Sequence, residues 1–236
     1  MQWQQAAKAL FPQGHDIVEE GSLLRGSGPC GDVVFAVIGS THHTEVGVEL
    51  ALDMAAEVLR TVREHPGRPI LFLIDTEGQR LRRRDELLGI NRYMAHLAKC
   101  VEIARAHRHR VLGLVYDQAL SGGFIPNAMM ADLCAALPDA QIRVMNLPAM
   151  ARVTRIPLER LQVLALDSPV FAPGAENFVR MGAIDAIWEG DLAARLGQAL
   201  ARADPHDHRR ELGEARGGRA LAASIVRRVI DAAASE

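Results

Sequence analysis

Two stretches decide the fold: residues 69–79 read PILFLIDTEGQ, and residues 111–123 read VLGLVYDQALSGG. Each begins with a short apolar run that does not alternate with polar residues, which is typical of a strand buried on both faces. Each then enters a polar loop that contains glycine. A third apolar run, VVFAVI, occupies residues 33–38. Since segments with helical periodicity separate these strands, the sequence predicts an α/β layered fold with parallel strands.

The connecting helices are predicted from apolar residues that recur every three or four positions. We expect a first helix over about 45–64, with Thr44 as its cap, a second over 85–107 and a third over 123–131. Beyond residue 146 the pattern is mostly helical.

Breaks in this pattern suggest three parts. We expect an N-terminal extension (1–20), one α/β domain (21–203), and a linker with a C-terminal helix (204–236). A chain of 236 residues is long enough for one domain with its own core.

The composition excludes several functional classes. Lys and Arg number 27 and Asp and Glu 29, and this near-neutral balance argues against nucleic acid as a partner. No apolar run approaches the roughly 20 residues of a membrane helix, and the N-terminus lacks the pattern of a signal peptide. The three cysteines have neither zinc spacing nor a disulfide framework. We therefore expect a cytoplasmic protein that binds no membrane and no metal.

Glycines follow the two buried strands where a ligand is expected. Gly78 comes after the first strand, and Gly122 and Gly123 come after the second. Glycine lets a ligand oxygen approach the backbone closely. Two such loops at the ends of neighbouring strands predict backbone N–H groups that stabilise one developing oxyanion. The alternative is that these residues only form turns.

Polar residues near these loops have more than one interpretation. Ser121 is a candidate nucleophile, but alanine at position 119 breaks the Gly-x-Ser-x-Gly pattern, so a helix cap is favoured. His42 and His43 follow a strand and are candidates for lining a site, with ordinary loop histidines as the alternative. Adjacent histidines seldom chelate one metal, so neither is predicted to be a ligand.

A group of arginines follows residue 79. Their guanidinium groups are suited to phosphates or to the carboxylates of a partner. The alternative is a solvated loop with salt bridges to Asp85 and Glu86. The group consists of Arg80, Arg82, Arg83 and Arg84.

Taken in order, these segments resemble the carboxyltransferase branch of the crotonase superfamily. The matching pieces are residues 69–79, residues 111–123, and ADLCAALPDAQIRVMNLPAMA at 131–151. A narrower resemblance, to the gamma subunits of biotin-independent malonate decarboxylases, is carried by GSTHHTEVGVELAL at 39–52 and QALSGGFIPNAMM at 118–130.

The resemblance implies a crotonase-like fold of repeated ββα units with a helical C-terminal region. It also implies that the chain and a homologous beta subunit decarboxylate malonyl-S-acyl-carrier protein to acetyl-S-acyl-carrier protein and CO2 through an enolate. The substrate would ride on the phosphoribosyl-dephospho-CoA arm of the acyl carrier protein. An alpha subunit, the transferase for that carrier, would be a further partner, and this chain would hold no cofactor.

For the site, the resemblance implies catalytic roles for Gly78, Gly122 and Gly123. Whether the last two hold the thioester oxygen or the departing carboxylate stays open. The residues expected to contact the substrate are Gln118, Ser121, Glu77, His42 and His43.

Two other functions remain open beside this one. The first is an alpha-type subunit of a biotin-dependent acyl-CoA carboxyltransferase, although the corresponding turn there is richer in glycine than residues 118–123. The second is a non-catalytic subunit that stabilises the beta subunit and docks the carrier through its arginines. A serine hydrolase is a more distant third, because no histidine is convincingly positioned for Ser121.

The late helical half contains more apolar residues than one small layer buries on itself. We expect many of them to contact the beta subunit, with burial in the chain's own core as the alternative. They are Leu158, Leu161, Val163, Leu164, Phe171, Phe178, Val179, Met181 and Trp188.

Overall fold

The structure is a computed structural model that describes residues 1–145, 147–167, 174–180, 182–204, 211, 215 and 221–234. Its strands are, in chain order, β1 (Val18–Glu20), β2 (Leu23–Cys30), β3 (Val33–Ser40), β4 (Thr44–Val46), β5 (Ile70–Gln79), β6 (Val111–Leu120), β7 (Leu133–Ala136), β8 (Gln141–Arg143) and β9 (Ala186–Ile187). Its helices are α1 (Trp3–Leu10), α2 (Val48–Glu64), α3 (Arg83–Leu88), α4 (Ile90–Ala106), α5 (Ser121–Phe124), α6 (Leu147–Thr154), α7 (Leu158–Asp167), α8 (Ala175–Arg180), α9 (Leu192–Arg202) and α10 (Ala222–Ala233).

One mixed sheet forms the centre of the fold. Strands β1, β2 and β3 are antiparallel, and β3, β5, β6, β7 and β9 follow as parallel neighbours. The short strands β4 and β8 pair with the carboxyl ends of β5 and β6. The predicted α/β fold with parallel strands is confirmed, and the two stretches of sequence that predicted it form neighbouring strands.

Both faces of the sheet are covered, which explains why its strands do not alternate in polarity. Ile70, Phe72 and Ile74 of β5 pack into a cluster with residues of α2 and α4. Leu71 and Leu73 point to the opposite face and pack with residues of α1 and α9. Since neighbouring residues of a strand face opposite sides, a strand buried on both must be apolar throughout.

The first twenty residues contain a helix that packs on the sheet. Trp3 and Leu10 of α1 are buried in the same cluster as Leu71. The domain boundaries at residues 20 and 203 stay a prediction.

Helix α2 begins later than expected, and the prediction of Thr44 as its cap is wrong because Thr44 lies in β4. The capping position is Gly47, and the N–H of Val48 donates to Oδ1 of Asp85 at 3.1 Å. A carboxylate from α3 therefore caps α2, an arrangement that a local sequence pattern does not contain.

Two other helix predictions also differ from the structure. The segment 85–107 contains two helices, because Gly89 adopts a left-handed conformation with φ of 77° between α3 and α4. The segment 123–131 is not one helix: the four-residue α5 is followed by a turn and a 3₁₀ turn at Ala128–Met130.

The late apolar residues divide between core and surface. Leu161, Phe178 and Trp188 are buried in this chain, whereas Val163 is exposed. Phe171 and Met181 lie outside the described residues, as does most of the predicted linker. Within the described ranges, no helix combines the length and the apolar character required to cross a membrane.

Candidate functional site

The two predicted glycine loops meet at the carboxyl ends of β5 and β6. A Cβ atom added to Gly123 would lie 2.7 Å from the carbonyl carbon of Gly78, so the two backbones are in direct contact. Gly78 has a φ of +104°, and a Cβ there would lie 2.7 Å from the carbonyl oxygen of Leu120. Both positions require glycine, one for space and the other for space and backbone conformation.

The N–H of Gly78 already has an acceptor. It donates to Oγ1 of Thr76 at 2.9 Å, and that hydroxyl donates to the carbonyl oxygen of Thr44 at 2.6 Å. The geometry therefore favours a shaping role for Gly78 over donation of its N–H to a ligand. Its catalytic assignment stays a prediction.

The N–H groups of Gly122 and Gly123 lie in the first turn of α5. The first N–H groups of a helix have no acceptor inside the helix. In the described part of the chain, no other hydrogen bond occupies the N–H of Gly122 or Gly123. These two groups are thus available to an oxygen of a ligand.

Ser121 adopts a left-handed conformation with φ of +49°, and its side chain is exposed. The prediction that it caps the helix is wrong, since Leu120 occupies the capping position and α5 has no side-chain cap. Left-handed backbone is costly for a residue with a side chain. Among the described residues, no histidine contacts the Ser121 hydroxyl through a hydrogen bond.

Gln118 and Glu77 lie on the same strands as the glycine loops. Gln118 is buried, and its Nε2 has no hydrogen-bond partner within the described ranges. Glu77 is exposed. Their roles in substrate contact stay predictions, with the buried, unpaired amide of Gln118 the stronger candidate.

Arg143 is a candidate that the sequence reasoning missed. It is paired in register with Leu120, the residue before Ser121, across the ladder of β8 and β6. Its Nε is buried and has no hydrogen-bond partner among the described residues. A lone arginine in the apolar stretch IRVM at 142–145 was the available signal, but the pairing of β8 with β6 is visible only in three dimensions.

The two candidate histidines lie at the turn between β3 and β4, with positive φ of 62° for His42 and 49° for His43. His42 Nε2 lies 2.6 Å from Oε1 of Glu19, and this hydrogen bond lowers the pKa of the Glu19 carboxyl. His43 instead contacts Asp75 and Asp117.

The residues around His43 line a cavity of about 420 Å³ beneath the N-terminal residues. Burial raises the pKa of Asp75, and the hydrogen bond from the His43 N–H opposes this shift. The described lining of the cavity contains neither Gly78 nor Gly123. The histidines thus line a cavity that does not include these glycines, and their role in substrate contact stays a prediction.

Two of the four arginines form ion pairs with acids near the start of α2. Arg80 Nε lies 3.9 Å from Oε2 of Glu45, and Arg84 forms an ion pair with Glu49. Among the described residues, these arginines form no ion pair with Asp85 or Glu86, the acids expected from the sequence; their partners are Glu45 and Glu49. Arg82 and Arg83 are exposed at the start of α3, and a phosphate or partner contact for the group stays a prediction.

A mixed sheet whose parallel strands are connected by helices, with two glycine loops that meet at the ends of neighbouring strands, gives the chain the crotonase-like fold of the carboxyltransferases. Within that class the family is shown by sequence. The chain belongs to the malonate decarboxylase gamma subunit family, whose model matches residues 41–233.

Similarity to individual proteins is consistent with this family membership. A malonyl-S-ACP:biotin-protein carboxyltransferase from Malonomonas rubra is 30% identical over 153 residues, which are 61% of this chain and 52% of that protein. The chain thus spans about half the length of this relative.

Two solved structures match nearly the whole chain. One is a Pseudomonas malonate decarboxylase hetero-tetramer in complex with coenzyme A, with 26% identity, a TM-score of 0.78, and coverage of 95% of this chain and 96% of the other. The second is a Pseudomonas malonate decarboxylase MdcD-MdcE hetero-dimer, with 25% identity, a TM-score of 0.76 and the same coverage.

Proposed function

We propose that this chain, paired with a homologous beta subunit, decarboxylates malonyl-S-acyl-carrier protein to acetyl-S-acyl-carrier protein and CO2. Loss of CO2 from a malonyl thioester leaves an enolate, whose negative charge accumulates on the thioester oxygen. Donors fixed in advance toward that oxygen lower the barrier, and one such donor contributes about 3–4 kcal/mol.

The observation that carries this proposal is the contact between the two glycine loops. Gly123 packs on the backbone of Gly78, which fixes the turn that contains the free N–H groups of Gly122 and Gly123. A fixed pair of donors needs no reorganisation when charge develops. Gly78 contributes by shaping the contact, and Ser121 lies beside it, with its Cβ 3.0 Å from the position of a Cβ at Gly78.

Arg143 is suited to bind the carboxylate end of the malonyl group. Its buried and unpaired Nε belongs to a group that binds carboxylates through two parallel hydrogen bonds. We assign it to hold the malonyl carboxylate until CO2 departs, so the glycine N–H groups are left for the thioester oxygen. Replacement by Gln removes this charge, and the exposed Arg152 of α6 provides a matched control.

The family implies three partners for this reaction: a beta subunit, an acyl carrier protein with a phosphoribosyl-dephospho-CoA arm, and an alpha subunit that loads the carrier. Two findings support pairing with the first. The similar Pseudomonas enzyme is a hetero-dimer or hetero-tetramer in its solved structures. This chain also exposes apolar residues on α10, among them Val229 and Ile230.

Reconstitution tests the proposal. The full chain is mixed with its beta subunit and malonyl-S-acyl-carrier protein, and acetyl-S-acyl-carrier protein and CO2 are measured with avidin present. We expect turnover that avidin leaves unchanged. Arg143→Gln is expected to raise KM and thereby lower kcat/KM, while Arg152→Gln is expected to have no effect. No CO2 from a folded complex would overturn the decarboxylase assignment.

A second candidate function is transfer of the carboxyl group to a biotin protein. The observation that favours it is the similarity to the Malonomonas rubra carboxyltransferase. In that case the carboxyl group passes to biotin instead of leaving as CO2, so acetyl-S-acyl-carrier protein forms only when a biotin protein is added, and avidin abolishes its formation. The reconstitution, run with and without a biotin protein, therefore separates the two functions.

A further inference from the structure

Three side chains from three different segments converge under the N-terminal residues. His43 follows β3, Asp75 lies in β5 and Asp117 lies in β6. His43 Nε2 is 3.5 Å from Oδ1 of Asp75 and 3.3 Å from Oδ2 of Asp117. One imidazole nitrogen and two carboxylate oxygens thus lie within 4.8 Å of one another.

Asp75 provides an independent reason to expect a ligand there. Its side chain is only 4% exposed. Oδ2 accepts the backbone N–H of His43 at 2.8 Å, but Oδ1 has no hydrogen-bond partner among the described residues. A buried carboxylate oxygen without a partner is costly. Asp75 also lines the cavity of about 420 Å³, which adjoins this carboxylate.

The cationic groups nearby do not already fill this role. The ammonium of Met1 lies 3.5 Å from Oδ2 of Asp117 and forms no recorded ion pair with Asp75. The His42 side chain is directed to Glu19. Among the cationic groups that the structure describes, only His43 forms an ion pair with Oδ1 of Asp75, and at 3.5 Å this approach is too long for a good hydrogen bond.

We propose that His43, Asp75 and Asp117 form a binding site for a first-row divalent cation. Imidazole nitrogen and carboxylate oxygen are both ligands for Zn²⁺, Mn²⁺ and Co²⁺, at about 2.0–2.2 Å. Ligand atoms around such an ion lie about 3–4 Å apart, and the two distances from His43 already fall in this range. Three protein ligands leave positions open toward the cavity.

Binding of the metal alone tests the site, independently of any decarboxylation. The full chain is stripped with a chelator and titrated with Mn²⁺ or Co²⁺ by calorimetry and electron paramagnetic resonance. We expect one saturable equivalent, and a Co²⁺ or Mn²⁺ spectrum that contains a nitrogen ligand. His43→Gln removes the nitrogen signature, and Asp75→Asn or Asp117→Asn lowers the affinity by about tenfold or more.

Asp75→Asn keeps the size of the side chain and an oxygen that accepts the His43 N–H. Asp117 is half-buried, so Asp117→Asn disturbs little of the core. We therefore expect at least one of the two variants to keep the fold, which circular dichroism checks. Asp53→Asn, an exposed acid on α2, is the control and binds as wild type does. No saturable binding of either ion, or equal binding by wild type and all three variants, overturns the proposal.

Discussion

Gly123 packs on Gly78 so closely that a Cβ atom at Gly123 would lie 2.7–2.9 Å from three backbone atoms of Gly78. Because the obstructing atoms are backbone, no side-chain rotation relieves the clash. The loops after β5 and β6 are therefore joined at a contact that excludes every residue except glycine. Gly122, one position earlier, faces only the side chain of Gln79, with Oε1 at 3.1 Å.

This difference predicts unequal effects of the same substitution. Gly123→Ala forces the two loops apart and moves its own N–H group, so we expect decarboxylation to fall by about 10²-fold or more. Gly122→Ala requires only that the flexible Gln79 side chain shift, so we expect a much smaller loss. Turnover of malonyl-S-acyl-carrier protein by each variant in complex with the beta subunit measures both effects.

Circular dichroism and thermal unfolding of both variants check that the fold is retained. Wild-type turnover by a folded Gly123→Ala variant would contradict the assignment of this turn to the oxyanion. Equal losses in the two variants would mean that bulk in the loop, not the contact with Gly78, governs the reaction.

The parts of the fold that the sequence predicted are those with local signals. The apolar runs that begin at Ile70 and Val111 identified the buried strands, and the glycines after them identified the loops that meet. That meeting follows from topology, since the carboxyl ends of neighbouring parallel strands lie at one edge.

The features that the sequence did not predict depend on contacts between distant segments. Asp85 caps α2 from another helix, and Arg143 reaches the site through the pairing of β8 with β6. The cluster of His43, Asp75 and Asp117 draws on three segments that are far apart in the sequence. Gly89 was a local signal for a break between two helices. It was missed because the residues on both sides of it follow the same helical periodicity.

A buried ion pair beneath the sheet offers a test of stability. Arg105 Nε donates to Oδ1 of Asp132 at 2.6 Å, and the N–H of Val111 donates to Oδ2 at 2.7 Å. Arg105 Nη1 keeps Glu102 Oε2 at 3.1 Å, but Asp132→Ala removes the buried carboxylate that accepts both of these bonds, so the free energy of unfolding is expected to fall by about 3 kcal/mol. Urea unfolding measures this change.

Asp53→Ala is the matched control for Asp132→Ala, because Asp53 is exposed on α2. A surface carboxylate contributes roughly 0–1 kcal/mol, and we expect no larger effect there. A loss of that small size at Asp132 would contradict the burial and pairing seen in the structure.

Gly197 offers the opposite outcome, a gain in stability. It lies inside α9, and a Cβ there would have its nearest contact at 3.9 Å from Sγ of Cys30, an ordinary van der Waals distance. Gly197→Ala is expected to raise the free energy of unfolding by roughly 0.5–1 kcal/mol, since alanine loses less conformational entropy in a helix.

Gly67→Ala is the control. It also has space for a Cβ but a φ of +75°, so this substitution is expected to lower the free energy of unfolding. Thermal unfolding distinguishes the pair, and a destabilised Gly197→Ala would contradict the observed space.

The last prediction concerns the apolar face of α10. Ile225, Val226, Val229 and Ile230 recur at helical spacing and are all exposed, with Val229 63% exposed. An exposed apolar face of this kind is typical of a helix that packs against another protein. If the beta subunit covers it, Val229→Asp buries a charge in an apolar contact, and the affinity for the beta subunit falls by about tenfold or more, which is at least about 1.4 kcal/mol.

Ser224→Asp is the matched control, because it adds the same charge to the opposite face of α10. We expect this variant to bind the beta subunit as wild type does. Sedimentation of the chain with and without the beta subunit, followed by titration of each variant, gives the comparison. Wild-type affinity for Val229→Asp would show that this face of α10 lies outside the subunit interface, and a stable monomer that does not bind the beta subunit would contradict the pairing itself.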